Sequence, residues 1–91
     1  MVVLQPERLG EVASVTICGF TSNATQVFYR VEVSPSPENG LTTLSRVMAD
    51  KVTTLPRNKL GKQIGALNPE DLARLDRGLL AFLGLLPEQS R

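Results

Sequence analysis

Ala13–Phe20 reads ASVTICGF, and the way its side chains alternate decides the class of fold. Val15, Ile17 and Gly19 fall on one side of an extended chain, and Thr16, Cys18 and Phe20 fall on the other. Both sides are largely apolar, so a strand here must be covered on both faces and belongs inside a sheet. Upstream, Val2–Gln5 of MVVLQPERLG form a short strand with no polar lead-in, placed either at a sheet edge or beside a neighbour that should precede it. PERLGE reads as a loop. Downstream, Thr21, Ser22, Asn23, Ala24 and Thr25 are small and polar and break the pattern into a loop.

The next segments continue the β reading. Val27–Val33 (VFYRVEV) alternates, with Val27, Tyr29, Val31 and Val33 on one side. SPSPENG supplies a turn, with two prolines and Asn39-Gly40. SRVMADKVTTL predicts two short strands or one strand bent near Ala49-Asp50, PRNKLG a basic turn, and KQIGAL a further short strand. A helix follows. Asn68 is its N-cap, Pro69 suits the first position, and Glu70 and Asp71 favour the positive end of the dipole. Leu72, Leu75, Leu79, Phe82 and Leu83 share one face, Glu70 and Arg74 are spaced for a pair, and Gly84 is the stop. The expectation is one domain over residues 1–86 with a frayed tail at 87–91. Five or six strands and one C-terminal helix make it mainly β, a small barrel with the helix packed against it.

Composition narrows the chemistry. The 91 residues include three Phe, one Tyr and no Trp, so aliphatic side chains must build the core. No stretch approaches the roughly 20 apolar residues of a membrane span. One cysteine, Cys18, allows no internal disulfide and fits a reducing cytosol; it reads as a small core residue. With no His and a lone Cys, metal chemistry is disfavoured and no cofactor is expected. The net charge is +1 but uneven: −2 over residues 1–40, +4 over 41–67 and −1 over 68–91. The basic middle suits a polyanion or an acidic protein, and charge alone equally fits a solvated loop.

From Gly40 to Leu85 the chain resembles the C-terminal half of the MazF/PemK family of toxin endoribonucleases. The match rests on the Thr-Leu-Pro-Arg turn (Thr54–Arg57), the Leu-Gly-x-x-Ile-Gly-x-Leu stretch (Leu60–Leu67) and a helix ending in Leu-Gly-Leu (Leu83–Leu85). SVTICGFTSN and VVLQPERLG resemble the family's upstream strands. The resemblance implies an SH3-like (CcdB/PemK-like) β-barrel and metal-free cutting of single-stranded RNA by attack of the ribose 2′-OH on the adjacent phosphate. It also implies growth inhibition in the cytoplasm, a homodimer, and a cognate, MazE-like antitoxin. By motif position Thr21 is the catalytic threonine, and its structural alternative is a turn-starting residue. Ser22, Asn23, Ser45, Lys51 and Arg57 are the candidates for lining the RNA groove. Thr53 and Pro56 depart from the family pattern. The family's catalytic arginine lies in an Arg-Pro pair just before the position that Met1 occupies, so slow cleavage is expected. The alternative expectation is a catalytically impaired member acting as a binding module for antitoxin or nucleic acid. Arg8, Arg30, Lys51 and Arg57 are the cations that could substitute.

Overall fold

The computed structural model describes residues 1–4, 13–23 and 25–85. The predicted PERLGE loop and the 87–91 tail lie outside these residues. Four strands are described: β1 (Val2–Val3), β2 (Ser14–Thr21), β3 (Arg30–Val33) and β4 (Ser45–Pro56), followed by one helix, α1 (Pro69–Phe82). They form a single antiparallel sheet in the order β1-β2-β4-β3. The ASVTICGF segment is an inner strand, as its two apolar faces require, and Val2–Val3 takes one edge.

β4 is one long strand with an irregularity in its middle. Cys18 pairs with Val52 and Phe20 with Val47, so Met48–Lys51 lie opposite Gly19 alone. The extra residues bend the strand at the predicted place, and its first half pairs with β3 while its second pairs only with β2. That bend curls the sheet into an open half-barrel around Cys18, Val31, Val33, Val47, Ala49 and Leu75.

Two predicted elements differ. β3 starts at Arg30, because Phe28 and Tyr29 form a turn closed by the Arg30 N–H on the Val27 carbonyl (3.0 Å). KQIGAL is not a strand. It lies against the 38–40 turn so closely that a Cβ on Gly65 would collide with the Asn39 backbone, and the Ala66 N–H donates across to the Glu38 carbonyl (2.9 Å). An irregular segment packed against a turn in this way forms no ladder. The turn itself is organised by buried Asn39, whose Oδ1 accepts from the Ser36 and Leu41 amides, and by Gly40 at φ +71°.

The helix obeys its cap signals. Asn68 Oδ1 accepts from the Asp71 amide at 2.7 Å, and Pro69 opens the first turn. At the far end Gly84 at φ +71° lets the Gly84 and Leu85 amides reach the Ala81 and Leu80 carbonyls, which satisfies the last turn. The predicted apolar face is only partly used. Leu75 and Gly78 are buried and Leu79 packs against the core, whereas Leu72, Phe82 and Leu83 stay between 41% and 50% exposed. The predicted Glu70–Arg74 pair also gives way. Arg74 pairs instead with Asp71, one position nearer, and donates to the Glu32 carbonyl on the free edge of β3.

Candidate active site

Thr21 ends β2 and stands directly opposite Arg46 of β4, which in turn stands opposite Glu32 of β3. Cross-strand partners share a face, so these three residues form a row across the sheet. Arg46 is 7% exposed, and its guanidinium donates to Glu32 Oε2 at 2.9 Å and to the Asn23 carbonyl at 3.2 Å. A buried guanidinium needs such partners, and its planar fork can serve two at once. The second bond ties the loop after β2 down to the sheet. In that loop the Thr21 hydroxyl oxygen accepts from the Asn23 amide (3.1 Å), and Asn23 Oδ1 accepts from the Thr25 amide (2.9 Å). The Thr21 hydroxyl keeps its own proton free to donate, and the Asn23 side chain keeps its two amide donors toward solvent.

The structure brings together some of the sequence candidates. Thr21, Ser22 and Asn23 lie at one end of the sheet, with Ser22 and Asn23 exposed. Ser45 is at the same end but buried, its hydroxyl donating to the Thr43 carbonyl at 3.0 Å. Lys51 is exposed beside the bend, 3.8 Å from Asp50. Arg57 is at the other end: Ser14 pairs with Pro56, and the Arg57 amide donates to the Ala13 carbonyl. The eight residues of β2 put Arg57 about 23 Å from Thr21 at ~3.3 Å per residue.

Among the cations named as substitutes, Arg30 is occupied, since its guanidinium makes a two-point pair with Asp50 at 3.1 and 3.2 Å. The Arg30 hydrogen bonds hold the Asp50 carboxyl below the ordinary carboxylate range. Arg8 lies outside the described residues. Among the described residues, the cation that the fold sets opposite Thr21 is Arg46, which sequence reasoning passed over. A signal was present: Arg46 interrupts the otherwise apolar or small run Ser45–Ala49, where a charge is tolerated only if paired. Cys18 is fully buried, and desolvation first and the Asp50 charge second push its thiol up, which suits an inert core residue. Among the described residues no group of three or more His, Cys, Asp or Glu is placed to hold a metal.

Comparison with known proteins sets this geometry in context. A family profile described as "PemK-like, MazF-like toxin of type II toxin-antitoxin system" matches residues 1–83. The chain is 42% identical over 86 residues to a probable endoribonuclease MazF from Mycolicibacterium smegmatis, covering 93% of this chain and 79% of that protein. Among solved structures, the Mycobacterium tuberculosis toxin MazF-mt6 superposes with a TM-score of 0.81 at 26% identity, over 90% of this chain and 82% of that one. A mycobacterial endoribonuclease in complex with its cognate antitoxin shares the fold, with a TM-score of 0.80 at 24% identity over 93% and 80% of the two chains. With the profile spanning nearly the whole described sheet and helix, the chain belongs to the PemK-like, MazF-like toxins of type II toxin–antitoxin systems.

Proposed function

We propose that this chain cuts single-stranded RNA at the Thr21 end of its sheet. Family membership makes it an endoribonuclease toxin of a toxin–antitoxin pair. The observation that carries the site is a strand-end hydroxyl with a free proton, held in place by its own loop and backed by a buried, fixed cation. Attack of a 2′-OH on the neighbouring phosphate builds negative charge on the phosphorane oxygens. A positioned donor stabilises that charge without reorganisation when the reaction occurs. Thr21 donates to a phosphate oxygen, and Asn23 and Ser22 flank the same oxygen or the next phosphate. Arg46 is a positioning residue, since its bond to the Asn23 carbonyl fixes the loop. Taking up the 2′-OH proton is not assigned to any of these groups.

The protein works in the cytoplasm as a homodimer and is held inactive by a cognate antitoxin. An acidic, largely disordered antitoxin segment lies along residues 41–67, where Lys51, Lys59 and Lys62 are exposed, and competes with RNA. The relatives described above favour the nuclease over a catalytically silent binding module. No helix among the described residues is long and apolar enough to cross a membrane.

The test is cleavage of a single-stranded RNA by the protein and by Thr21→Ala. The variant should cut roughly 100-fold to 1,000-fold more slowly, the usual worth of one preorganised donor, with an unchanged melting temperature. Products should end in a 2′,3′-cyclic phosphate, with or without a chelator. A Thr21→Ala protein cutting at the parent rate overturns the site.

A further inference from the structure

We propose that the groove between α1 and the free edge of β3 holds the single-stranded RNA that flanks the cut site, with Phe28 stacking on a base and Arg77 meeting the phosphate chain. The proposal rests on the endoribonuclease reading above. The groove is an open trough of about 920 Å³, and Phe28, Arg30, Arg46, Arg74, Arg77 and Gly78 line it. Four arginines thus line one trough, against two acidic residues, Glu32 and Glu70. Arg30 and Arg46 are spent on Asp50 and Glu32, and Arg74 on Asp71. Arg77 is exposed and makes no ion pair among the described residues, so it is the cation left for a ligand.

Phe28 is the second feature. It is 68% exposed, an unusual position for a large aromatic ring, yet it is not loose. Tyr29 meets it edge to face with ring centroids 5.0 Å apart, and Phe82 of α1 backs Tyr29 at 5.1 Å. A propped, open ring beside guanidiniums is the pairing that single-stranded nucleic acid recognition uses, because every base has a face to stack and every link a phosphate. Arginine suits that phosphate through its planar fork. Arg46 links the groove to the cutting site. It lines the trough and at the same time donates to the carbonyl of Asn23, two residues after Thr21, so RNA extending past the cut site around the edge of β3 would meet the trough.

An acidic peptide fits less well. A peptide would most simply add to the open edge of β3 through backbone hydrogen bonds. The Glu32 carbonyl on that edge already accepts from Arg74, which blocks one of the few bonding positions of a four-residue strand.

Two uncleavable probes test the idea: 2′-O-methyl RNAs of about four and about twelve nucleotides, with oligoglutamate as the peptide control. Binding is followed by fluorescence anisotropy over a series of salt concentrations. Phe28→Ala should weaken the longer RNA by roughly 5-fold to 100-fold, the range for losing one stacked base. Arg77→Ala should weaken it and reduce the slope of log affinity against log salt by about 0.7, the share of one phosphate on a single strand. The four-nucleotide probe should be unaffected by either change, and Phe28→Trp should restore binding. Both side chains are exposed, so melting curves should match the parent.

Parent-like binding of the longer RNA by both variants overturns the groove while leaving the nuclease reading intact, provided that the parent still cuts RNA and Thr21→Ala does not. Loss of oligoglutamate binding with RNA binding unchanged also overturns it and assigns the trough to a peptide. A parent chain that neither binds nor cuts RNA overturns the endoribonuclease reading and this proposal with it.

Discussion

At the scale of single residues, the site is a matter of which charges are spoken for. Thr21 was named through the family resemblance, by motif position, since its place alone also fits a turn-starting residue; the structure puts it at the end of β2, and Arg46 was not read. A strand sequence shows which residues share a face along one strand and does not show which residue of another strand stands opposite. The register that sets Thr21, Arg46 and Glu32 in one row depends on the irregularity at Gly19, which nothing local in the sequence specifies. The same holds for Arg30 and Asp50, twenty positions apart in sequence and joined by two hydrogen bonds.

That pair has a pH signature. The Arg30 hydrogen bonds lower the Asp50 pKa in the folded chain, so the pair's stabilisation is complete above the ordinary carboxylate range and is lost as pH falls through the lowered folded value. Asp50→Asn should therefore lower the urea midpoint at neutral pH and flatten its fall below about pH 5, where a carboxylate with a lowered folded pKa loses its stabilisation. Parallel curves for the parent and Asp50→Asn would show that other carboxylates carry the acid sensitivity.

At the scale of elements, the sequence was most readable where chemistry is local. Asn68, Pro69 and Gly84 marked the helix ends because caps depend on neighbouring residues only. KQIGAL was misread as a strand because its shape is dictated by a distant turn. Two glycines separate these cases. Gly78 sits inside α1, where a Cβ would meet Val31, Ala49 and Tyr29 at 3.5 to 3.9 Å, ordinary contact distances. Gly78→Ala should stabilise the protein by about 0.5–1 kcal/mol, since alanine restricts the unfolded chain and favours helix. Gly65 has the Asn39 and Glu38 backbones where a Cβ would go. Gly65→Ala must push the 62–67 segment off the turn and should destabilise by about 1–3 kcal/mol, the usual cost of overpacking. Chemical denaturation of the two variants side by side distinguishes them: the midpoints should move in opposite directions.

At the scale of the whole molecule, one chain looks unfinished in two ways. Leu72, Leu80, Leu83 and Leu85 on and after α1 are each 40–50% exposed, more apolar helix surface than the core uses. The groove candidates are also divided, with Thr21 and Asn23 at one end of β2 and Arg57 beside its start. A twofold pairing remedies both, since it covers apolar surface and sets one copy's Thr21 end against the other copy's Arg57 end. The protein should therefore sediment as a dimer at micromolar concentration. Complementation then tests whether the site is shared. Thr21→Ala and Arg57→Glu chains should each be poorly active alone. When they are unfolded, mixed and refolded, the Thr21 of one variant meets the Arg57 of the other at one of the two sites in each mixed dimer. With random pairing, half the dimers are mixed, so about a quarter of the parent's sites are rebuilt. Recovery of about a quarter of the parent rate is the outcome that a composite groove demands. A dimer without recovery would mean that Arg57 serves some end other than RNA at the partner's Thr21, and a stable monomer would remove the twofold arrangement altogether.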